Sequence, residues 1–373
     1  MGLAPKFVAM EAAPSSALAI SISAPCATIW LMLSGGHVRP HYGSKSTLSH
    51  TDGFDISEPP TVFDVSSAYR HFLVWTGHPN TTPMSTLPFR EQSAEPLRSN
   101  DKRKIVEHYD LVSPYYQSLW GNHIHHGYWI RGDESKELAQ LQLMEHLAEL
   151  ANIQTGCTVL DVGCGFGGSS IYLAQKYKAS ATGITISPVQ VDMARKAAAA
   201  AKSDARFLLM DAEALDFQQQ FDLLWSVESI SHYHDRPGFF ANAVRFLKPG
   251  GVFALTDWFK KAGLSPAQER KFIEPIERGM FIELETMDDY ESHLIASGLQ
   301  IVHRQDLTRQ CAKSWDLGLD MIRNKSLWTV AAKMGKDFVT NLRAFRAMRA
   351  GYSSGNFVYG LFTARKPSSA NPK

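Results

Sequence analysis

A glycine-rich stretch with one acidic residue is the part of the sequence best suited to bind a ligand. It reads TVLDVGCGFGGSS from Thr158 to Ser170, with an apolar run ending at Asp161. The glycines that follow are Gly163, Gly165, Gly167 and Gly168. Glycine lets the backbone turn sharply or approach a ligand closely, and the N–H groups of such a loop attract an anionic or strongly polar group. The stretch predicts a small-ligand site, although a glycine-rich turn in any α/β protein would share this pattern.

Two residues with acid–base side chains follow the fourth predicted strand. Glu228 and His232 are four positions apart, so they share one face if the segment is helical, and the carboxylate would then orient the imidazole. A histidine titrates near neutral pH, which suits removal of a proton. We expect His232 to be the catalytic base and Glu228 its partner. The alternative is that His232 only caps or packs the connection.

A cluster of histidines raises the question of a metal. His123, His125 and His126 lie within four positions. Adjacent histidine side chains point in different directions, and no HExxH pattern or carboxylate at ligand spacing accompanies them. We therefore expect no metal site.

The elements that must position these residues alternate between strands and helices. After the glycine stretch the predicted strands are Ala181–Ile186, Arg206–Met210, Phe221–Val227 and Val252–Thr256. The predicted helices between them are Pro188–Ala201 and Gly238–Leu247, and Lys248–Gly251 is predicted to be a turn. This alternation indicates an α/β fold with a doubly wound parallel sheet. Ligands of such sheets bind at the carboxyl ends of the strands.

The alternation stops at Phe259. Helical patterns dominate residues 259–352, which we expect to form an inserted cap over the ligand crevice, and Phe357–Ala364 is predicted to be an edge strand. The segment contains methionines, tryptophans and basic residues: Met280, Met287, Met321, Met334, Met348, Trp315, Trp328, Lys333, Lys336, Arg343, Arg346 and Arg349. Each methionine or tryptophan is more often core than cavity lining. The basic residues form either a solvated helix face or a contact with a membrane surface or an acidic substrate.

Composition limits the class of protein. The net charge of +1 argues against a nucleic-acid partner, and the four cysteines lack disulfide or zinc spacing, so we expect a reducing, cytoplasmic location. Residues 1–100 are rich in proline, serine and threonine and show no periodicity, which predicts a disordered N-terminal extension ahead of a domain over residues 101–373. A cleaved leader, or a natural start at Met84, are the alternatives for this region.

The identity of the ligand depends on where the carboxylates fall. A dinucleotide-binding fold places an acidic residue about twenty positions after its glycines, but the second strand here ends in GITISP. The acid instead precedes the glycines at Asp161, and Asp211-Ala212 follows the third strand. This distribution does not suit NAD.

Several motifs together resemble the class I S-adenosylmethionine-dependent methyltransferases. They are DVGCGFGG, GITISPVQ, DAEALDF, FDLLWSVESISHY and LKPGGVF. WGNHIHHGYW and AMRAGYSSGNFVYGLFTARKP narrow the resemblance to the gamma-tocopherol C-methyltransferase-like group, which is related to sterol methyltransferases. The resemblance covers residues 104–367. It implies a Rossmann-like fold with a mostly parallel seven-stranded sheet and a helical cap, and S-adenosylmethionine as the cofactor.

The resemblance also implies roles for particular residues. Asp161 and the loop at Gly163, Gly165 and Gly167 would meet the methionine part of the cofactor, with Tyr109, His125 and His126 closing over it. The residues implied for the ribose and adenine are Thr185, Ile186, Gln190, Asp211 and Ala212, and those implied for the pocket floor are Trp225 and Ser226. Relatives often place a glutamate before the histidine that follows strand four, but this chain has Ser231, so the acidic function falls to Glu228 or is not needed.

The implied activity is methyl transfer to a small, largely apolar natural-product or lipid-like acceptor, on carbon, nitrogen or oxygen, in secondary metabolism. An in-line displacement depends chiefly on positioning of the reactants. The sequence leaves the acceptor and the oligomeric state open. The alternatives are a cofactor-binding regulatory protein with reduced catalysis and, on weaker grounds, an NAD-dependent dehydrogenase.

Overall fold

The computed structural model describes residues 102–321 and 335–368. The predicted extension over residues 1–100 lies outside the described residues, as do Trp328, Lys333 and Met334. Within the described ranges, no helix has both the length and the apolar character of a membrane span.

Seven strands form one sheet. They are β1 (Thr158–Val162), β2 (Ser180–Thr185), β3 (Arg206–Leu209), β4 (Phe221–Val227), β5 (Leu247–Lys260), β6 (Gln300–Asp306) and β7 (Phe357–Arg365). Their order across the sheet is β3-β2-β1-β4-β5-β7-β6. The first five strands are parallel, and β7 runs antiparallel to both of its neighbours. The predicted α/β fold with a doubly wound, mostly parallel seven-stranded sheet is confirmed.

Among the described residues, two helices precede β1 and the others connect the strands. They are α1 (Lys102–Trp120), α2 (Lys136–Leu150), α3 (Gly168–Tyr177), α4 (Pro188–Ala200), α5 (Arg236–Ala243), α6 (Pro266–Gln268), α7 (Glu274–Met280), α8 (Met287–Ala296), α9 (Thr308–Cys311), α10 (Lys313–Met321) and α11 (Lys336–Ser354). Helix α4 shows why the first residue of a helix can be predicted from the sequence. The Ser187 hydroxyl accepts the Gln190 N–H and Pro188 occupies the first turn, where its missing N–H costs no helical hydrogen bond.

Two buried clusters cover the two faces of the sheet. On one face, Leu143 of α2, Leu173 of α3 and Met348 of α11 pack with strand residues such as Trp225. On the other face, residues of α5 and α8, including Phe240, pack against β4 and β5. Burial on both faces explains the continuous apolar character of the central strands.

Three details of the predicted architecture are wrong. Strand β6 lies inside the segment 259–352, in which helices were predicted to dominate. The sequence did not indicate this strand because QIVHRQD alternates between exposed and partly buried residues and lacks a strongly apolar face. Strand β7 is not an edge strand, since it pairs with both β5 and β6. The predicted turn at 248–251 belongs to β5, with Gly250 at a φ of 78° and a register shift in the pairing with β4.

At least one of the basic residues predicted in the cap is engaged by other side chains. Arg349 is paired with Asp316 and also donates to Ser353. The side chain of Lys336 lies outside the described part of the structure. The membrane contact therefore stays a prediction.

Candidate active site

A cavity opens over the carboxyl ends of β1, β2, β3 and β4, where the strand order reverses. Thirteen of the sixteen residues predicted for the site line it: Tyr109, His125, His126, Asp161, Gly163, Gly165, Thr185, Ile186, Gln190, Asp211, Ala212, Glu228 and His232. Because they come from six different segments of the chain, only the fold brings them together.

The glycine loop follows β1 with the backbone conformation that glycine permits. Gly163 has a φ of 76° and Gly165 a φ of 53°. A Cβ at Gly163 would lie 1.8 Å from Ser229 Oγ, so the loop crosses the β4 connection in direct contact. The N–H groups of Gly163 and Cys164 both donate to the Ile184 carbonyl, at 3.0 and 2.9 Å. These bonds fix the loop against the end of β2.

Asp161 is buried beside this loop. Its Oδ2 accepts the Ser170 hydroxyl at 2.6 Å. Burial raises the pKa of Asp161 to about 7, against the opposing effect of the Ser170 hydrogen bonds. A carboxyl group held in this way gains stability as an anion when a cationic ligand group arrives.

Three residues predicted to contact the ligand do not line the cavity. A Cβ at Gly167 would lie 2.7 Å from the Phe207 ring, so this glycine permits close packing of α3 on β3. Trp225 is fully buried in the cluster shared with α2 and α3. Ser226 is also fully buried within the sheet. The residue of β4 that lines the cavity is Val227, one position after Ser226, and Glu228 follows it in the cavity wall.

The end of β2 carries hydroxyl and amide groups. Thr185 Oγ1 lies 2.7 Å from Gln190 Oε1, and Gln190 Nε2 donates to Ser113 Oγ at 3.2 Å. Helix α1 is tied to the same edge by a hydrogen bond between Ser187 and Asp110. It is also tied by Lys102, which pairs with Asp211 at 2.5 Å. These α1 residues were not predicted from the sequence, because their partners lie far away along the chain.

The histidine segment lies against the glycine loop. A Cβ at Gly168 would lie 2.5 Å from the Asn122 carbonyl. Gln140 Nε2 donates to the carbonyls of His123 and His125, at 2.7 and 3.1 Å. The Gly127 N–H donates to Ser314 Oγ at 3.0 Å. Both α2 and α10 thus hold this segment across the cavity.

The predicted pairing of Glu228 with His232 is wrong. His232 Nδ1 lies 3.1 Å from the Phe281 carbonyl, which can only accept, so Nδ1 carries the hydrogen and Nε2 accepts from the Tyr109 hydroxyl at 2.9 Å. The segment forms one 3-10 turn, Ile230–His232, and Glu228 has a φ of 53°, so the four-residue spacing does not give a shared helical face. Burial lowers the pKa of His232 to about 4.

Glu228 instead joins two residues from distant parts of the chain. Its Oε1 accepts the His126 main-chain N–H at 2.6 Å, His126 Nδ1 at 3.0 Å and the Tyr359 hydroxyl at 2.7 Å. Burial acts to raise the pKa of Glu228, but the His126 imidazole and its hydrogen bonds outweigh burial and hold the pKa below its ordinary value. Glu228 is therefore an ionised carboxylate in the cavity wall.

The end of the cavity away from Asp211 is mainly apolar. Its lining includes Trp258, Met280, Trp315, Gly318 and Phe345. Of these, all but Trp258 come from the segment predicted to cover the crevice. Met348, from the same segment, is fully buried core, and Met287 packs against the core. The segment thus contributes both core and cavity lining.

The residues at the glycine-loop end fit S-adenosylmethionine. The buried Asp161 suits the cationic amino end of the methionine part. Thr185 and Gln190 offer hydroxyl and amide groups to ribose hydroxyls. The loop backbone at Gly163 and Gly165 lines the cavity without side chains. The groups present therefore match the amino end and the ribose of this cofactor.

Comparisons with known proteins agree with this fit. The family model described as mycolic acid cyclopropane synthetase matches residues 97–350. 27-O-demethylrifamycin SV methyltransferase of Amycolatopsis mediterranei is 32% identical over 273 residues, covering 71% of this chain and 97% of the relative. The chloroplastic tocopherol O-methyltransferase of Arabidopsis thaliana is 31% identical over 299 residues, covering 74% of this chain and 84% of the relative.

A solved structure shares the fold. Mycolic acid cyclopropane synthase in complex with SAH and CTAB superposes with a TM-score of 0.65 at 22% identity, covering 71% of this chain and 98% of the other. The resemblance seen in the sequence motifs is thus confirmed, and the NAD-dependent alternative is set aside. The chain belongs to the mycolic acid cyclopropane synthetase family and is a class I S-adenosylmethionine-dependent methyltransferase.

Proposed function

We propose that this enzyme methylates a small, largely apolar natural-product or lipid-like acceptor that carries a hydroxyl group. The observation that carries the proposal is the aromatic end of the cavity, formed by Trp258, Trp315 and Phe345, which is continuous with the glycine-loop end. Similarity to two relatives, a 27-O-demethylrifamycin SV methyltransferase and a tocopherol O-methyltransferase, supports a hydroxyl-bearing acceptor and a role in secondary metabolism.

The cofactor assignments of the sequence analysis carry over where the residues line the cavity. Asp161, Gly163 and Gly165 are assigned to the methionine part. The ribose and adenine contacts are assigned to Thr185, Ile186, Gln190, Asp211 and Ala212, and the covering contacts to Tyr109, His125 and His126. These assignments rest on the lining of the cavity and on the chemistry of the side chains.

Positioning is the main contribution of the chain to the reaction. Bound S-adenosylmethionine supplies an electrophilic methyl group on a sulfonium. Trp258 and Trp315 orient the acceptor and exclude water, which favours a displacement that disperses charge. His232 has both ring nitrogens engaged and holds the Tyr109 hydroxyl in place. We therefore assign His232 to positioning rather than to removal of a proton.

Methyl transfer from labelled S-adenosylmethionine tests the function. We expect label in apolar phenols or alcohols, and much less in amines and carboxylic acids. Calorimetry run in parallel should show cofactor binding without an acceptor. Binding of the cofactor with no transfer to any small molecule would favour the regulatory alternative, and transfer only to protein or nucleic acid would overturn the proposal.

Two features of the cellular setting stay predictions. A cytoplasmic location rests on the cysteines, of which Cys157, Cys164 and Cys311 are free thiols. A weak membrane-surface contact rests on Arg343 and Arg346 of α11. Flotation with anionic vesicles, compared between the wild type and an R343E/R346E variant, measures that contact.

A further inference from the structure

Two histidines of the cavity differ in the state of their ring nitrogens. Both nitrogens of His232 have hydrogen-bond partners. His126 is hydrogen-bonded at Nδ1, but its Nε2 is buried and has no hydrogen-bond partner within the described residues. A buried polar atom without a partner calls for an explanation, and here the residue lines the cavity.

The tautomer of His126 follows from its neighbours. Glu228 is ionised and lies 3.0 Å from Nδ1, so this nitrogen carries the hydrogen. Trp258 Nε1 lies 3.4 Å from the same nitrogen, but accepting that bond would leave Nδ1 unprotonated beside a carboxylate. In the neutral imidazole, Nε2 therefore carries the lone pair. A carboxylate on one nitrogen and a free lone pair on the other is the arrangement of a histidine base.

The backbone around this pair is held in an unusual conformation. Glu228 has a φ of 53°, a region that residues other than glycine rarely adopt. This conformation is accompanied by three hydrogen bonds to one carboxylate oxygen, two from His126 and one from Tyr359. Strain of this kind persists where the surrounding structure over-determines it, and it concentrates at functional sites.

Aromatic rings surround the imidazole. The centroids of Tyr359, Trp315, Trp258 and Tyr352 lie 4.9, 5.1, 5.7 and 6.0 Å from that of His126. Trp315 Nε1 is likewise a buried polar atom without a hydrogen-bond partner within the described residues. His126 and Trp315 both line the cavity, and a hydroxyl group has the chemistry to donate to an imidazole lone pair and to accept from an indole N–H.

We propose that His126 is the catalytic base of the methyl transfer and that Glu228 is its positioning residue. The inference rests on the proposed function. The acceptor O–H bond breaks and its proton passes to Nε2, while an oxygen electron pair forms the bond to the methyl carbon. The carbon–sulfur bond breaks and its electron pair stays on sulfur. Glu228 remains ionised and stabilises the imidazolium, which releases its proton to solvent after the product leaves.

Substitution of His126 by asparagine separates this role from a structural one. The asparagine amide can replace Nδ1–H as donor to Glu228 but has no basic nitrogen at the position of Nε2. We expect H126N to keep its melting temperature and, with saturating cofactor, to lose about a hundredfold or more in single-turnover rate. A near-normal rate in H126N would overturn the proposal.

The pH profile tests the positioning role of Glu228. The titratable groups that face His126 are His125, Glu228, Tyr352 and Tyr359, with Cys311 close behind them. E228Q removes the charge but keeps the shape. We expect its single-turnover rate to fall and the apparent pKa of the acidic limb to shift downward, because the imidazolium loses its carboxylate. A lowered rate with an unshifted limb would contradict the positioning role.

Nitrogen NMR gives a readout that needs neither cofactor nor acceptor. In the free protein we expect the His126 signals to be those of the Nδ1–H tautomer. In E228Q we expect these signals to be lost or to be accompanied by those of the other tautomer. H146N is the matched control, because His146 stacks on Tyr128 and bonds Gln305 away from the cavity, and it should behave as wild type in every assay. The Nε2–H tautomer in the wild type would overturn the inference. Failure of the proposed function would look different, since the wild type would then methylate no small molecule.

Discussion

The end of the cavity that holds Asp161 and Thr185 differs in construction from the end that holds His126 and Trp315. The first end is made from residues at the carboxyl ends of β1 and β2 and directly after β1, β2 and β3. The second end collects residues from the α1–α2 connection, the β4 exit, β5 and the segment after it. Neighbouring parallel strands place their carboxyl ends together by necessity, whereas the second end depends on how loops and helices pack.

The difference separates what is general to the reaction from what is particular to this chain. The glycine-loop end is polar, and backbone hydrogen bonds between neighbouring strand ends hold it, such as those from Gly163 and Cys164 to the Ile184 carbonyl. The other end is aromatic, and its ionised group, Glu228, is held by long-range contacts to His126 and Tyr359. We expect substitutions at the first end to affect the cofactor and those at the second to affect the acceptor.

The largest effect is expected for G163A. Its Cβ would meet Ser229 Oγ at 1.8 Å, in a backbone with a φ of 76°. We expect cofactor binding to fall below detection in calorimetry, with a clear drop in melting temperature. G263A is the matched control, because Gly263 has a φ of 71° and nothing within 4 Å of the added Cβ, so it should lose only about 1 kcal/mol of stability. Equal losses in both variants would mean that the clash is unimportant.

The next effect is expected for D161N, which should weaken cofactor binding by about 1.5–3 kcal/mol, the range for a hydrogen bond to a charged group. Burial raises the pKa of Asp161 to about 7, so binding of the cationic amino end should release a proton near pH 6.5. Calorimetry in two buffers of different ionisation enthalpy measures this proton release. D161N should lack the release. The control D192N, at an exposed position on α4, should retain it.

The same group sets a stability trend in the cofactor-free protein. Because the pKa of Asp161 is higher in the folded than in the unfolded chain, the folded state binds the extra proton. Its contribution to stability is full below pH 4 and is lost as the pH rises through 7. A melting series that shows no difference between wild type and D161N in this dependence would contradict the burial of the charge.

A smaller effect is expected for W315A, at the other end of the cavity. Removal of an aromatic contact should raise the acceptor KM about tenfold to a hundredfold, the equivalent of about 1.5–3 kcal/mol of apolar contact. The cofactor Kd should stay within about twofold. V339A, on an exposed part of α11, serves as the control. A parallel loss of cofactor affinity in W315A would show that the two ends are not separable.

The smallest effect is expected for H232Q and Y109F. If His232 only holds the Tyr109 hydroxyl, both variants should lose about tenfold or less in kcat/KM. Their pH profiles should parallel the wild type between pH 6 and 9, because burial lowers the pKa of His232 to about 4 and the imidazole does not titrate in this window. Loss of a titration limb in H232Q alone would make His232 the base.

Most of the sheet was predictable because its strands are buried on both faces and carry continuous apolar runs. Strand β4 was predicted with its observed bounds, Phe221–Val227. Strand β6 was not predicted, since at the edge of the sheet it alternates between exposed and half-exposed residues. Gly167 and Trp225 were assigned to the cavity because proximity in a motif does not say which way a residue faces.

The sequence by itself determined the fold class, the cofactor end and the family. These depend on local features, namely the glycine loop, the strand ends and the caps, which act over a few residues. Only the tertiary structure decided that Glu228 pairs with His126 and Tyr359 rather than with His232. This pairing follows from the left-handed backbone at Glu228 and from the packing of three distant segments on one another. The spacing of residues along the chain indicates neither of these two features.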